Sequence, residues 1–553
     1  MSQKIYGIDL GTTYSCIAHV DEHGKPVVVP NAEGELTTPS LVYFESPDNV
    51  VVGSTARETV EVYPERCIAT VKRAMGNATW ERTIDGQTYT PQDVSSFILR
   101  KVVSDAEQLT GDEIRRVVIT CPAYFGLNQK EATKQAGELA GLEVLYVIPE
   151  PTAAALAYGL EQEGGDQVVL VYDLGGGTFD VTLIEVQEAR ITVLSTGGDH
   201  ELGGRNWDEA VASYFAQRFE EETGVAGDKL FDDPEIYQEL LNTAERCKRN
   251  LTTRETVTES FRFEGERAKV ELTRSTFDRI TSHLLRRTLE LTEHELEKAR
   301  EKGHDRVDKL LLVGGSTYMP QVTSAVQERF GFEVQQYDPN QAVAKGAALF
   351  GHKCELEGEV KVHIARETGT SADEVDLGTA DRSAVERAAK TVAQAHGYGL
   401  PGVEALLEKE VTNVTSKSFG VVVVDRKSGG EVVANLILAN EPVPARVTQQ
   451  FGTIEDGQSG VDIRCRESEI TEEHVELDAC EELGNAALKF ERPLPAGSPV
   501  EITFDLGADG RLKLHGKDLT TGRTVETEFE TDAIMSRQEV EAARSRNLAI
   551  RVA

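Results

Sequence analysis

At 553 residues the chain is longer than one hydrophobic core usually supports, so two or more domains are expected. A formal net charge of −36, from 58 basic and 94 acidic residues, repels nucleic acid and anionic lipid, so neither is expected as a partner. No run approaches the roughly 18 apolar residues of a membrane helix, and the seven scattered cysteines lack a Cys-x-x-Cys pair, which argues against a zinc site or disulfide framework and for a reducing cytoplasm.

The N-terminus enters an apolar strand at once, so no signal peptide is expected. That strand, Ile5 to Ile8, runs into Asp9-Leu10-Gly11-Thr12-Thr13, and Cys16-Ile17-Ala18 returns. A strand signal at Val117 to Thr120 and a helical stretch from Asn128 to Ala140 follow. The opening pattern then recurs, with Val168 to Tyr172 leading into Asp173-Leu174-Gly175-Gly176-Gly177-Thr178 and Val181 to Ile184 returning. A strand, a tight glycine turn and a returning strand make a hairpin whose bare amides wrap phosphate oxygens. The leading aspartate sits where a magnesium-bound water shell can be held. One such turn alone reads as an ordinary hairpin. Two, each after a buried-looking strand, point to two similar half-domains gripping one nucleotide.

Further along, Gly197-Gly198 and Gly203-Gly204 precede a helix from Trp207 to Phe219, and Glu245, Lys248 and Arg249 share one helical face. A helix from Ser275 to Lys302 and a strand Leu310 to Val313 lead to Gly314-Gly315-Ser316-Thr317. No Gly-x-x-x-x-Gly-Lys-Ser/Thr phosphate loop is present. The match to Gly-x-Gly-x-x-Gly at Gly397 to Gly402 follows a helix rather than a strand and reads as a loop. The alternation of strands and helices marks residues 1–351 as a layered α/β domain. Residues 352–411 read as an acidic connector with one short helix, started by a capping box at Ser383-Ala384-Val385-Glu386 and burying Val385, Ala388, Ala389 and Val392. Residues 412–530 alternate like an all-β sandwich, with turns at Gly429-Gly430 and Asp509-Gly510. A capping box at Ser536-Arg537-Gln538-Glu539 opens a short closing helix within residues 531–553.

These segments resemble the heat-shock protein 70 (DnaK-type) chaperone family. The resemblance rests on Gly7 to Thr13, Cys121-Pro122-Ala123-Tyr124-Phe125, Glu150-Pro151-Thr152-Ala153-Ala154-Ala155, Asp173 to Asp180, Glu245 to Arg249 and Gly314 to Thr317, in that order across nearly all of residues 1–350. It implies an actin-like, two-lobed ATPase domain that binds ATP or ADP with Mg2+ and hydrolyses ATP. It also implies roles: Thr12, Thr13 and Gly175 to Thr178 on the phosphates, and Asp9 and Asp173 holding magnesium through water. Asp180 would help orient the attacking water, Lys72 would be the catalytic lysine, and Glu150 the carboxylate beside the water, with Thr178 counted among the catalytic residues. Gly11, Tyr14, Gly203, Glu245, Lys248, Arg249, Thr252, Gly314, Gly315, Ser316 and Asn340 complete the implied nucleotide set. Tyr318 stands where the family places an arginine against the adenine, and a tyrosine there can stack on the base.

Residues 412–530 resemble the family's peptide-binding β domain through Phe419-Gly420-Val421, Pro442-Val443-Pro444, Phe451-Gly452-Thr453, Asp456-Gly457-Gln458-Ser459 and Phe504 to Gly510. Candidate pocket residues are Val421, Val423, Ile454, Val461 and Ile463, with filling of the sandwich core as the alternative for each. The implied partners are unfolded or extended polypeptides, with J-domain and nucleotide-exchange co-chaperones. Three departures from the family are a missing helical lid, a rewritten linker ending Leu406-Leu407-Glu408-Lys409-Glu410-Val411, and a short stretch between Lys72 and Val117. The expected function is an ATP-dependent chaperone for exposed apolar segments. The alternatives are a nucleotide-gated binder of one dedicated partner and a small-molecule kinase of the same superfamily.

Overall fold

The computed structural model describes residues 4–161, 166–187, 190–425, 429–507, 511–528 and 535–553. The Asp509-Gly510 turn and the boundary at residue 530 lie outside them.

Two sheets carry the N-terminal part. In the first, the strand Ile5–Asp9 pairs antiparallel with Tyr14–Val20 and parallel with Arg116–Cys121, which pairs parallel with Glu143–Pro149. In the second, Gln167–Leu174 pairs antiparallel with Phe179–Val186 and parallel with Lys309–Val313, which pairs parallel with Glu333–Gln336. Each sheet adds a further antiparallel strand, Pro26–Val29 or Arg190–Asp199, beyond its hairpin. The repeat seen as two Asp-Leu-Gly segments is thus a repeat of topology. The central strands are buried on both faces, which is why Val117-Val118-Ile119 and Val169-Leu170-Val171 read as continuous apolar runs.

Between the sheets lie the helices Glu150–Glu161 and Ala342–Thr368. Their contact is lined by Ala153, Ala154, Ala157, Ala344, Ala347 and Ala348, all fully buried or nearly so. A Cβ on Gly346 would overlap the Ala153 carbonyl, so the approach is closer than any side chain allows.

Residues from Ser418 onward form the sandwich. A five-stranded antiparallel sheet, with Ser418–Val424 at its centre, packs against a four-stranded sheet containing Ala445–Gly452 and Pro499–Leu506. Phe419, Leu488, Phe504 and Leu514 fill the space between them. The fold is an actin-like, two-lobed α/β architecture joined to a β sandwich.

The segment 352–411 is not a connector with one helix. The helix Ala342–Thr368 runs through its start, burying Leu356, Val360 and Ile364 at a spacing of four. The helices Arg382–His396 and Leu400–Glu408 fold back on that extension, and the three share a small core with Val392, Val403 and Leu406. The cap of the Arg382–His396 helix is Asp381, whose carboxylate accepts from Ala384 N at 3.3 Å, and not Ser383. Gly397 closes that helix at φ 75° and Leu400-Pro401 opens the next, so the Gly397 to Gly402 stretch is a helix-to-helix turn.

A boundary at residue 411 also fails. Glu410–Val414 is one strand, and it pairs in parallel with Arg190–Thr192 at the edge of the second sheet. It then pairs with Pro442–Val443, carrying that sheet into the β region. At the far end, the helix Arg537–Ala549 opens with the Ser536–Glu539 capping box read from sequence. It packs on the first lobe through Val540 and Ala543 against Leu139. Arg551–Val552 then pairs in parallel with Asn49–Val50.

Candidate nucleotide site

The two Asp-Leu-Gly turns meet face to face. A Cβ on Gly176 would strike the Thr13 side chain, and one on Gly177 would strike Thr12. Glycine is required there because the opposing turn fills the space. Around this junction lies a cleft of about 410 Å³ between the lobes. It is lined by Asp9, Gly11, Thr12, Thr13 and Tyr14 from the first hairpin and Asp173, Gly175, Gly176 and Thr178 from the second. Lys72 and Glu150 enter from the sides, and Glu245, Lys248, Arg249, Thr252, Gly314, Gly315, Ser316, Tyr318 and Asn340 line the second-lobe wall.

Three expected residues lie behind the cleft rather than on it. Asp180 is 1 % exposed and accepts the Ala123 amide at 3.0 Å, so it anchors the segment Cys121 to Phe125. Gly177 turns its carbonyl to Arg73, which donates from Nε at 2.9 Å and Nη2 at 2.5 Å. Gly203 packs against the Gly177–Thr178 backbone, where a Cβ would not fit, and supports the second turn.

At the cleft floor Lys72 Nζ donates to Glu150 Oε1, and both side chains are nearly buried. Lys72 lies on a short 3-10 turn, Val71–Ala74, while Glu150 begins the helix Glu150–Glu161. Burial opposes a charge on Lys72, but the Glu150 and Asp9 carboxylates outweigh it and raise the ammonium pKa. Burial, then Glu150, lifts Asp9 to about 7, and the same two causes raise Asp173 and Asp180 well above the usual carboxylate range. One buried lysine faces Asp9, Glu150, Asp173 and Asp180. Such a surplus of dry negative charge fits a divalent cation. Among the described residues no three His, Cys, Asp or Glu side chains gather as direct metal ligands.

The outer cleft is bridged by residues from both lobes. Arg57 donates to Tyr14 Oη and Glu245, and Tyr14 Oη also donates to Glu245 Oε1 at 3.2 Å. Lys248 is drawn to Gly204 O at 2.8 Å and Asp208 Oδ2 at 2.9 Å. Burial raises Asp208 to about 6 even with Lys248 beside it. Tyr318 is 45 % exposed at the cleft rim, free to meet a flat ligand. Sequence reasoning missed Arg57 and Asp208. Asp208 stands one helical turn after Gly204, a spacing that could have found it, whereas nothing local marks Arg57.

The expected peptide residues do not form one pocket. Val421 and Ile463 are 1 % and 4 % exposed within the sandwich core. Their alternation places them inward, so the core-filling alternative holds for both. Val423 and Val461 are half-buried against the same core, and only Ile454, at 61 %, stands in solvent.

The family described as Hsp70 protein matches residues 5–85, 77–363 and 400–550. "Chaperone protein DnaK" of Thermotoga petrophila is 37% identical over 530 residues, 94% of this chain and 79% of that protein. The same-named proteins of Thermosipho melanesiensis, 36% identical over 536 residues, and Thermosipho africanus, 35% over 531, cover 95% and 94% of this chain and 80% and 79% of their own length. With both lobes, the sandwich and the cleft matched along its length, the chain belongs to the Hsp70 protein family.

Proposed function

We propose that the chain is an ATP-dependent molecular chaperone that hydrolyses ATP to ADP and phosphate and binds extended apolar segments of unfolded proteins. The observation that carries this reading is the convergence of two glycine phosphate turns on one buried Lys72–Glu150 pair. The amides of Gly11 to Thr13 and Gly175 to Thr178 bind the phosphates, and Thr13 and Thr178 add hydroxyls. Lys72 brings positive charge to the transferring phosphoryl group, where low dielectric magnifies its effect. Glu150 orients the attacking water once ATP draws Lys72 away. Asp180 acts through the segment it anchors and not by touching the water. Asp9 and Asp173 would hold magnesium through water, and the ion would supply charge neutralisation at the phosphates. Glu245, Lys248 and Arg249 take the nucleoside, with Tyr318 stacked on its base.

The β sandwich binds peptide, with Ile454 as the one expected contact that faces solvent. The strand Glu410–Val414 supports coupling, because it pairs within the second-lobe sheet and leads directly into the sandwich. J-domain and exchange co-chaperones and a cytoplasmic setting belong to the same reading. No helix among the described residues is long and apolar enough to cross a membrane. The sandwich speaks against a small-molecule kinase, and no observation favours a single dedicated partner.

The test is ATP turnover and nucleotide binding in Lys72→Ala and Glu150→Gln. Turnover should fall about 100-fold or more in each, with nucleotide binding largely kept. Unchanged turnover in both would overturn the assignment.

A further inference from the structure

A second cavity, also of about 410 Å³, shares a wall with the nucleotide cleft: Ala69 and Thr70 line both. The chain sorts its next residues between the two sides. Lys72 lines the cleft, whereas Val71 and Arg73 line the second cavity. Thr70 holds φ 55°, a left-handed conformation that a β-branched residue rarely adopts. Strain of this kind persists where the surroundings fix the backbone at a functional site. The wall is therefore a short strip of main chain between two open volumes, with a strained residue at its centre.

The charge of the second cavity is the opposite of the molecule's. The chain has 94 acidic residues, yet none of them lines this cavity, while Arg73 and Arg82 do. Arg82 lies over the Trp80 ring, 5.7 Å from its centroid, and has no ion-pair or hydrogen-bond partner among the described residues. Arg73 holds the carbonyls of Gly177 and Glu201 with Nε and Nη2, leaving Nη1 with no partner among the described residues. A planar guanidinium without a carboxylate partner, set in a concave wall, suits a tetrahedral oxyanion.

We propose that this second cavity is a product site. Orthophosphate cleaved from ATP beside Lys72 passes the Ala69–Thr70 wall and is held by Arg82 and Arg73 on its way out, while ADP still fills the cleft. No bond is made or broken in this step. It follows ATP + water → ADP + orthophosphate at the cleft, and it rests on the hydrolytic reading of that cleft. Arg82 takes no part in cleavage, so its loss alters release alone.

The experiment uses the full chain in single turnovers of ATP. Cleavage is read by acid quench, and phosphate release by a fluorescent phosphate sensor. In Arg82→Glu, cleavage should keep its rate while release slows about tenfold, and Arg82→Lys should restore most of it. In parallel, inorganic phosphate is titrated into the ADP-bound protein and followed by 31P line broadening. Its binding should weaken about tenfold in Arg82→Glu, as expected for loss of one charged contact. Unchanged release and unchanged phosphate binding in that variant would overturn the proposal. If the wild-type chain cleaves no ATP, the hydrolytic reading falls and the titration alone decides. Arg82-dependent phosphate binding then upholds an oxyanion site, and its absence overturns it.

Discussion

Lys72 shows how little a residue's neighbours in sequence reveal when its contacts are made at long range. In Thr70-Val71-Lys72-Arg73 it reads as a surface lysine, and only the family pattern singles it out. The structure buries it to 5 % exposure against Glu150, 78 residues away. Asp9 and Asp173, by contrast, were legible from local rules, because a glycine turn after an apolar strand needs no distant partner. Tyr318 is a residue-scale test of the base-binding wall. Base-aromatic stacking contributes roughly 1–3 kcal/mol, so Tyr318→Ala should weaken ATP binding about tenfold with hydrolysis of bound ATP nearly unchanged. A calorimetric titration alongside single-turnover kinetics would check both. An unaltered dissociation constant would remove Tyr318 from the base site.

Among the elements, those with strong apolar periodicity were read well from sequence. The expected helices Asn128 to Ala140 and Ser275 to Lys302 are Leu127–Leu139 and Arg274–Glu301. The structure departs from the sequence expectation where composition hides periodicity. In the Ala342–Thr368 helix, the buried Leu356, Val360 and Ile364 are separated by charged residues, so the sequence there reads as an acidic connector. Glu410–Val414 is half-buried over most of its length, so its apolar alternation is weak, and Arg551–Val552 is too short to carry a pattern. The docking of the C-terminal helix depends on one buried polar cluster. Asn547 is fully buried and donates to Asp93 Oδ1 at 2.9 Å and Ser96 Oγ at 3.1 Å, while Arg546 Nη2 donates to the same Asp93 oxygen at 2.5 Å. Asn547→Ala removes both donors from a dry site and should cost about 1–3 kcal/mol. Hydrogen exchange of Val52 and Ala553, whose backbones bond at 3.0 Å, should accelerate. Unchanged protection there would mean the helix is held by its apolar face alone.

On the scale of the whole molecule, the sandwich is tied to both lobes. The strand Glu410–Val414 joins the second lobe, and the helix Arg537–Ala549 joins the first. Between them Glu467, on the sandwich strand Gln458–Ser468, reaches the start of the Leu127–Leu139 helix and accepts the Leu127 amide at 3.4 Å. Gly126 admits that carboxylate, since a Cβ there would collide with it. Burial lifts Glu467 from 4.5 to about 7, with Lys417 opposing and Glu481 reinforcing the shift. The docked state therefore holds the proton more tightly than an undocked one. Docking is strongest below pH 4.5 and weakens as pH rises to about 7, by roughly 3 kcal/mol at most. Small-angle scattering between pH 5 and 8 should show a more open chain at the higher pH, and Glu467→Gln should remove that dependence. A pH-independent profile in the native chain would contradict it.

On the proposed reading, two glycine turns closing on one buried lysine, in a body whose second-lobe sheet continues through Glu410–Val414 toward the β sandwich, would make hydrolysis answer to peptide. The most direct test is steady-state ATP hydrolysis with and without an unfolded peptide, for the native chain and for Lys72→Ala. The account predicts a low basal rate that rises severalfold with peptide and is lost, with or without peptide, in the variant. Tight ATP binding without hydrolysis, or a rate indifferent both to peptide and to Lys72, would contradict it.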